Sequence, residues 1–237
     1  MFLYHILPNI ENNYVNHYYY SVDMTNMEKT YGTSKIVLIG DYGSGKTSFM
    51  RKLMFDSFEH GHMPTIGASM NGVMLNGNIY TFWDSAGQER YRSLVKLCYR
   101  QCHCVFIFYN MNDPPSHHNI VDWIDTLDNF IDASVPVVII GTKSDMKKAT
   151  ELDYDDESIA TAIGKINLIA KITISNKTDS QDEIFKKIKY SLEKASEYSH
   201  DHKEKYENTI IAPDNSGYID SFKKYIDTMT SAYCNIL

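Results

Sequence analysis

The chain has 237 residues and 43% hydrophobic content, enough for one sizeable α/β domain with appendages. A net charge of −7 without a long block of Lys or Arg argues against a nucleic-acid partner, which needs a basic surface. No run reaches the about 20 apolar residues of a membrane-spanning helix, and Cys98, Cys102, Cys104 and Cys234 show neither zinc-ligand pairing nor a secretory framework.

Residues 1–33 read as an N-terminal extension. Met1 to Leu7 is apolar but lacks basic flanks, which argues against a signal peptide, and Tyr14 to Tyr20 adds aromatics without a period. From Lys35 short apolar strands alternate with helical stretches. Ile36-Val37-Leu38-Ile39 predicts a buried strand ending at Gly40, with a helix after Lys46. Val73-Met74-Leu75 and Ile79 to Trp83 flank Asn76-Gly77, a two-residue hairpin signal. Cys104 to Tyr109 and Val137 to Ile140 are further apolar runs, and the thiols near the first read as small buried groups. Between them Ile120, Trp123, Ile124, Leu127 and Ile131 mark one helix face. Ile172-Thr173-Ile174 predicts a last strand, followed by a helix from about Gln181 to Glu197. Such alternation implies an α/β fold, a mostly parallel six-stranded sheet with helices on both faces, over residues 34–197. The tail, 198–237, begins polar and then spaces Ile219, Phe222, Ile226, Met229 and Tyr233 as a short amphipathic helix, packed on the domain or lying on a membrane surface. His60, His62, His117, His118, His200 and His202 have no matching ligand set and read as solvated loop residues.

Three segments at expected strand ends carry chemistry. Gly40-Asp41-Tyr42-Gly43-Ser44-Gly45-Lys46-Thr47 fits G-x-x-x-x-G-K-[ST], in which backbone N–H groups and a helix N-terminus cradle phosphates. Lys46 is expected to reach the β- and γ-phosphates, and the Thr47 hydroxyl to bind Mg²⁺. In Asp84-Ser85-Ala86-Gly87-Gln88, Asp84 can hold the magnesium through a water, Gly87 can offer its N–H to the γ-phosphate, and Gln88 can orient an attacking water. In Thr142-Lys143-Ser144-Asp145, one carboxylate can accept from both N1 and the exocyclic amine of guanine, an amine adenine lacks. An adenine-using kinase or ATPase would keep the first segment but has no need of Asp145 in this setting.

Together with Thr65-Ile66-Gly67, Tyr99-Arg100 and Ser175-Asn176-Lys177, these segments resemble the Ras-superfamily small GTPases, most closely the Rab family, over about residues 34–196. The resemblance implies the P-loop NTPase fold of small G-proteins. It implies Thr65, nineteen residues after Lys46, as second hydroxyl ligand of Mg²⁺, so that Thr47, Thr65 and Asp84 form the metal set. Gln88, Lys46 and Thr65 are then the catalytic residues, and Ser48 belongs to the nucleotide contacts. Phe58 falls where the family places an aromatic against the nucleotide. Lys143 is implied beside base and ribose, and Ser175, Asn176 and Lys177 as the last guanine contact, through the Asn176 backbone to O6.

Several positions depart from the family pattern. Thr142 stands where most members carry Asn, although the Rho branch also uses Thr. Ala68-Ser69-Met70 replaces Val-Asp-Phe, and the Thr65-to-Asp84 hairpin is a few residues short. Tyr42 is bulky where small side chains normally lie beside the γ-phosphate. Cys234-Asn235-Ile236-Leu237 fits C-a-a-X with Leu last, which favours a geranylgeranyl group on Cys234. The expectation is a slow GTPase and GTP/GDP switch with Mg²⁺, acting with effector, exchange-factor and activating proteins. It would work at the cytoplasmic face of an intracellular or plasma membrane, with a cytosolic pool, in vesicle transport. The alternative is a GTP-dependent binding module that hardly hydrolyses because of Tyr42.

Overall fold

The computed structural model describes residues 33–59, 68–75, 78–85 and 98–202. Among them are six strands: β1 (Thr33–Gly40), β2 (Ala68–Leu75), β3 (Asn78–Ser85), β4 (Cys104–Asn110), β5 (Pro136–Thr142) and β6 (Asn167–Thr173). Four helices accompany them: α1 (Lys46–Phe55), α2 (Pro114–Asp128), α3 (Glu157–Ile163) and α4 (Gln181–Asp201). The strands form one sheet in the order β2-β3-β1-β4-β5-β6, antiparallel only between β2 and β3. This is the expected mostly parallel six-stranded α/β sheet.

Alternation along β1 shows why both faces are covered. Ile36 and Leu38 belong to a core with Phe49, Leu53, Ile184 and Ile188, under α1 and α4. Val37 and Ile39 belong to a second core with Trp123, Ile124, Leu127 and Ile159, under α2 and α3. Strands buried on both sides read as unbroken apolar runs, as β4 and β5 do. Phe49 fills the first core edge-on, with its ring centroid 5.1 Å from that of Phe108 and 6.3 Å from that of Phe82.

The hairpin pairing ends at Leu75 opposite Asn78, while Asn76 and Gly77 lie outside the described residues. Cys98, Cys102 and Cys104 are buried free thiols, as expected.

Four expectations need correction, and one helix, α3, was not read from the sequence. The last strand starts at Asn167 rather than Ile172, because β6 is a half-exposed edge strand whose polar Asn167 and exposed Lys171 mask it. Helix α3 has no long apolar stripe; its start is fixed by the Asp156 carboxylate, which accepts from the N–H groups of Ser158 and Ile159. Helix α4 starts at a Ser180/Glu183 capping box and runs four residues beyond Glu197, since Tyr198 is buried and Ser199 Oγ donates to Thr33 O at 3.0 Å. His117 and His118 lie in α2 and His200 in α4, not in loops, and His117 Nε2 is buried. Ile131 falls beyond the end of α2, yet it still packs on the second core.

Candidate functional site

β1 delivers the chain to the carboxyl edge of the sheet, where open α/β sheets bind ligands. At Gly40 (φ +135°) a Cβ would stand 2.2 Å from Phe108 O, so only glycine lets the loop leave the strand beside β4. Gly43 and Gly45 also have positive φ, and Gly45 caps α1 with no side-chain oxygen on the first-turn N–H groups. A helix N-terminus on a glycine-shaped loop suits an anion.

Lys46 begins α1 and is 5% exposed. Its ammonium turns onto the loop's own oxygens, donating to Gly40 O at 2.7 Å, Asp41 O at 2.9 Å and Ser44 Oγ at 3.3 Å. Burial lowers its pKa to about 8, partly offset by Asp84 and Asp41.

The next residue, Thr47, donates from Oγ1 to Asp84 Oδ2 at 2.7 Å, although 37 positions separate them. Asp84, the last but one residue of β3, pairs with Leu38, and the parallel pairing of β1 and β3 creates this approach. Its carboxylate is 1% exposed and Oδ1 has no hydrogen-bond partner. Burial raises the Asp84 pKa against the lowering effects of the Thr47 bond and Lys46. A buried carboxylate with an unused oxygen beside a threonine hydroxyl is a hard oxygen set of the kind Mg²⁺ prefers, so Thr47 and Asp84 fit the expected metal. Ser85 is bound elsewhere, donating to Leu38 O at 2.6 Å.

The base side is assembled by the ends of β5 and β6. Thr142 is fully buried and donates to Ser44 O at 2.7 Å, holding the phosphate loop from below. Lys143 takes a left-handed φ of +61°, and its carbonyl accepts from Asn112 Nδ2 at 3.0 Å. Burial lowers the Lys143 pKa, opposed by Asp113 and Asp145. Asp145 itself is exposed, and its Oδ1 accepts from Ser175 Oγ at 2.7 Å. The same Ser175 hydroxyl accepts from the N–H groups of Lys177 and Thr178. The Asn176 amide reaches Gly45 O at 3.1 Å.

The structure therefore brings together Gly40, Asp41, Gly43, Ser44, Gly45, Lys46, Thr47, Asp84, Thr142, Lys143, Asp145, Ser175 and Asn176. Tyr42 is 60% exposed and Lys177 is exposed, while Ser48 and Phe58 are half-buried at and beyond α1. Thr65, Gly87, Gln88 and Cys234 lie outside the described residues. Three contacts escaped the sequence reading. Asn119 Nδ2 and Trp123 Nε1 donate to the two Asp41 carboxylate oxygens at 3.0 and 2.9 Å, a use of Trp123 that its place on an apolar face concealed. The Asn176 side chain, as opposed to its backbone, had no signal. Among the described residues no helix is long and apolar enough to cross a membrane.

Residues 35–231 match the family model described as the Ras family, a longer stretch than the motifs span. The chain is 34% identical over 128 residues to the Ras and EF-hand domain-containing protein of Xenopus tropicalis, covering 52% of this chain and 17% of that protein. It is 31% identical over 135 residues to the Ras-related protein RABD2a of Arabidopsis thaliana, covering 55% and 66%. It is 32% identical over 123 residues to the GTP-binding protein YPTM1 of Zea mays, covering 50% and 59%. In all three the chain spans under two thirds of the relative's length. The matched family model covers well over half the chain, Rab- and Ypt-named proteins stand among its relatives, and the sheet carries the P-loop fold: the chain belongs to the Ras family of small GTPases and is Rab-like.

Proposed function

We propose that this chain is a GTP/GDP switch that binds guanine nucleotide with Mg²⁺ and hydrolyses GTP slowly. The observation that supports this best is the Thr47–Asp84 pair, a buried carboxylate with an unused oxygen at the foot of a glycine-shaped anion loop. A buried unsatisfied acceptor costs about 1–3 kcal/mol, a cost that a bound cation would remove. Thr47, Asp84 and Thr65 would hold Mg²⁺, which supplies charge neutralisation between the β- and γ-oxygens. Lys46 would exchange its loop acceptors for phosphate oxygens, and Gln88 would orient the attacking water. Asp145 would accept from guanine N1 and its amine, held in aim by Ser175. Lys143 would pack beside the base, and Ser175, Asn176 and Lys177 would close its far edge.

The γ-phosphate would order the segments around Thr65 and Gly87, and hydrolysis would release them. Effector, exchange-factor and activating proteins would read that change at a cytoplasmic membrane face, in vesicle transport, with Cys234 prenylated and a cytosolic pool. One prenyl chain gives reversible attachment. The relatives' printed names, two of them Ras-related or GTP-binding, support the nucleotide reading.

The bulk of Tyr42, at a phosphate-loop position where the family carries small side chains, motivates a second reading, a GTP-dependent binding module with little hydrolysis. In that reading its phenol would obstruct a group inserted towards the γ-phosphate from outside. Nucleotide retained through purification, followed by single-turnover hydrolysis of bound GTP, tests both. Retained GDP and GTP with turnover on the order of 10⁻⁴ s⁻¹ is expected of the switch. Retained GTP without turnover would favour the module, and no retained guanine nucleotide would reject both.

A further inference from the structure

Two side chains, one at the end of β5 and one in the loop after β6, grip consecutive carbonyls of the phosphate loop. Thr142 Oγ1, at the end of β5, donates to Ser44 O at 2.7 Å. Asn176 Nδ2, from the loop after β6, donates to Gly45 O at 3.1 Å across 131 positions of sequence. The two donors converge: a Cβ on Gly45 would lie 3.2 Å from each. Gly45 O already accepts the first bond of α1, from Phe49 N at 2.8 Å, so Asn176 uses the carbonyl's second lone pair.

The other end of this grip is the base side. Ser175, next to Asn176, donates to Asp145 and takes the N–H groups of Lys177 and Thr178 on the same oxygen. Ser175 N is itself held by Asp179 Oδ2 at 3.0 Å. Residues 175–177 are thus bonded to the base reader through one side chain and to the phosphate loop through the next. Asn176 is 5% exposed, and its Oδ1 has no partner.

We propose that Asn176 is a positioning residue that clamps the base loop to the phosphate loop and so sets how long a guanine nucleotide stays bound. The inference rests on the guanine-nucleotide reading above. The Asn176 amide joins residues 175–177 to the Gly45 carbonyl, beside the separate bond from Thr142 to Ser44 O, so a nucleotide leaves more slowly while both hold. Without the amide, residues 175–177 part from the phosphate loop while Thr142 alone holds it, and release is faster.

The test is release of fluorescent GDP from the full chain, compared among the parent, Asn176→Ala, Asn176→Asp and the double variant Asn176→Ala with Thr142→Asn. Only molecules that loaded GDP are followed, so a misfolded fraction does not enter the rate. Asn176→Ala should release GDP about three- to tenfold faster, the range one neutral hydrogen bond corresponds to. Asn176→Asp keeps size and shape but turns an acceptor on the Gly45 carbonyl, and should release at least as fast. Thr142→Asn should slow release again in the alanine background, since an amide at 142 approaches the same point as Nδ2 of Asn176. Parent-like release from Asn176→Ala or from Asn176→Asp would overturn the clamp, as would failure of Thr142→Asn to restore it. A parent chain that takes up no GDP would overturn the reading on which the clamp rests, and the clamp with it.

Discussion

Trp123 donates its indole N–H to the Asp41 carboxylate over 2.9 Å, tying the buried face of α2 to the second residue of the phosphate loop. Asn119, one turn earlier, holds the other carboxylate oxygen at 3.0 Å. The loop is thus strapped from α2 as well as from the ends of β5 and β6, and the strap uses a charged acceptor, whose hydrogen bonds are worth about 1.5–3 kcal/mol. Trp123→Phe should keep most of the ring burial, lose this donor, and destabilise the protein by about 2 kcal/mol. GDP release should quicken by roughly tenfold. Thermal unfolding and release measured side by side check this, and an unchanged release rate would show that the strap serves the fold alone.

The Thr47–Asp84 pair makes a prediction about metal. Thr47→Asn replaces the hydroxyl that now donates to Asp84 Oδ2 with a larger amide. In magnesium the GTP state should weaken more than the GDP state, because the ion bridges β- and γ-oxygens. The GTP:GDP affinity ratio, with and without magnesium, is the measurement. A ratio equal to the parent's would remove Thr47 from the metal set.

Asp145 is expected to read the base. Asp145→Asn exchanges one acceptor for a donor and should shift preference from guanine towards xanthine nucleotides, which carry a carbonyl where guanine has its amine. Competition between GTP and XTP gives the answer. Ser175→Ala should act in the same direction on affinity but not on base choice, since it removes only the hydroxyl that aims Asp145.

Tyr42, 60% exposed at the loop, separates the two readings of the function. Tyr42→Gly should leave unstimulated turnover near the parent's and raise turnover in the presence of an activating protein able to act on the chain. Single-turnover assays of both forms decide. Equal stimulation would mean that the ring stands clear in solvent and the protein cycles as an ordinary switch.

Away from the site, His103 gives a pH dependence. Its Nδ1 accepts from Lys35 N at 2.8 Å, and Tyr198 packs beside its ring. Burial, then Lys35 and His202, lowers its pKa from 6.5 to about 4. The folded state therefore favours the neutral ring. That contribution is complete above pH 6.5, shrinks as pH falls through the window down to about 4, and is lost below it. His103→Asn preserves an acceptor for Lys35 N and should flatten this part of the acid limb in chemical denaturation. His117, also lowered by burial, contributes a slope of the same sign that this variant keeps.

The phosphate-loop residues from Gly40 to Thr47, Asp84 and Asp145 were legible along the chain because each lies in a short motif whose spacing follows from local backbone chemistry. The parallel sheet was legible too, since β4 and β5 are buried on both faces and so are apolar without a break. Strand β6 was legible only at its end, because an edge strand spreads polar side chains over its length. Helix α3, held by one cap, left little periodic trace. What tertiary structure alone decided was who holds the phosphate loop. Asp41 meets Trp123 across 82 positions, Ser44 meets Thr142 across 98, and Gly45 meets Asn176 across 131. No local pattern encodes such partners. A hydrogen bond needs a donor and an acceptor within about 3 Å, and only the order of the strands in the sheet brings these pairs that close.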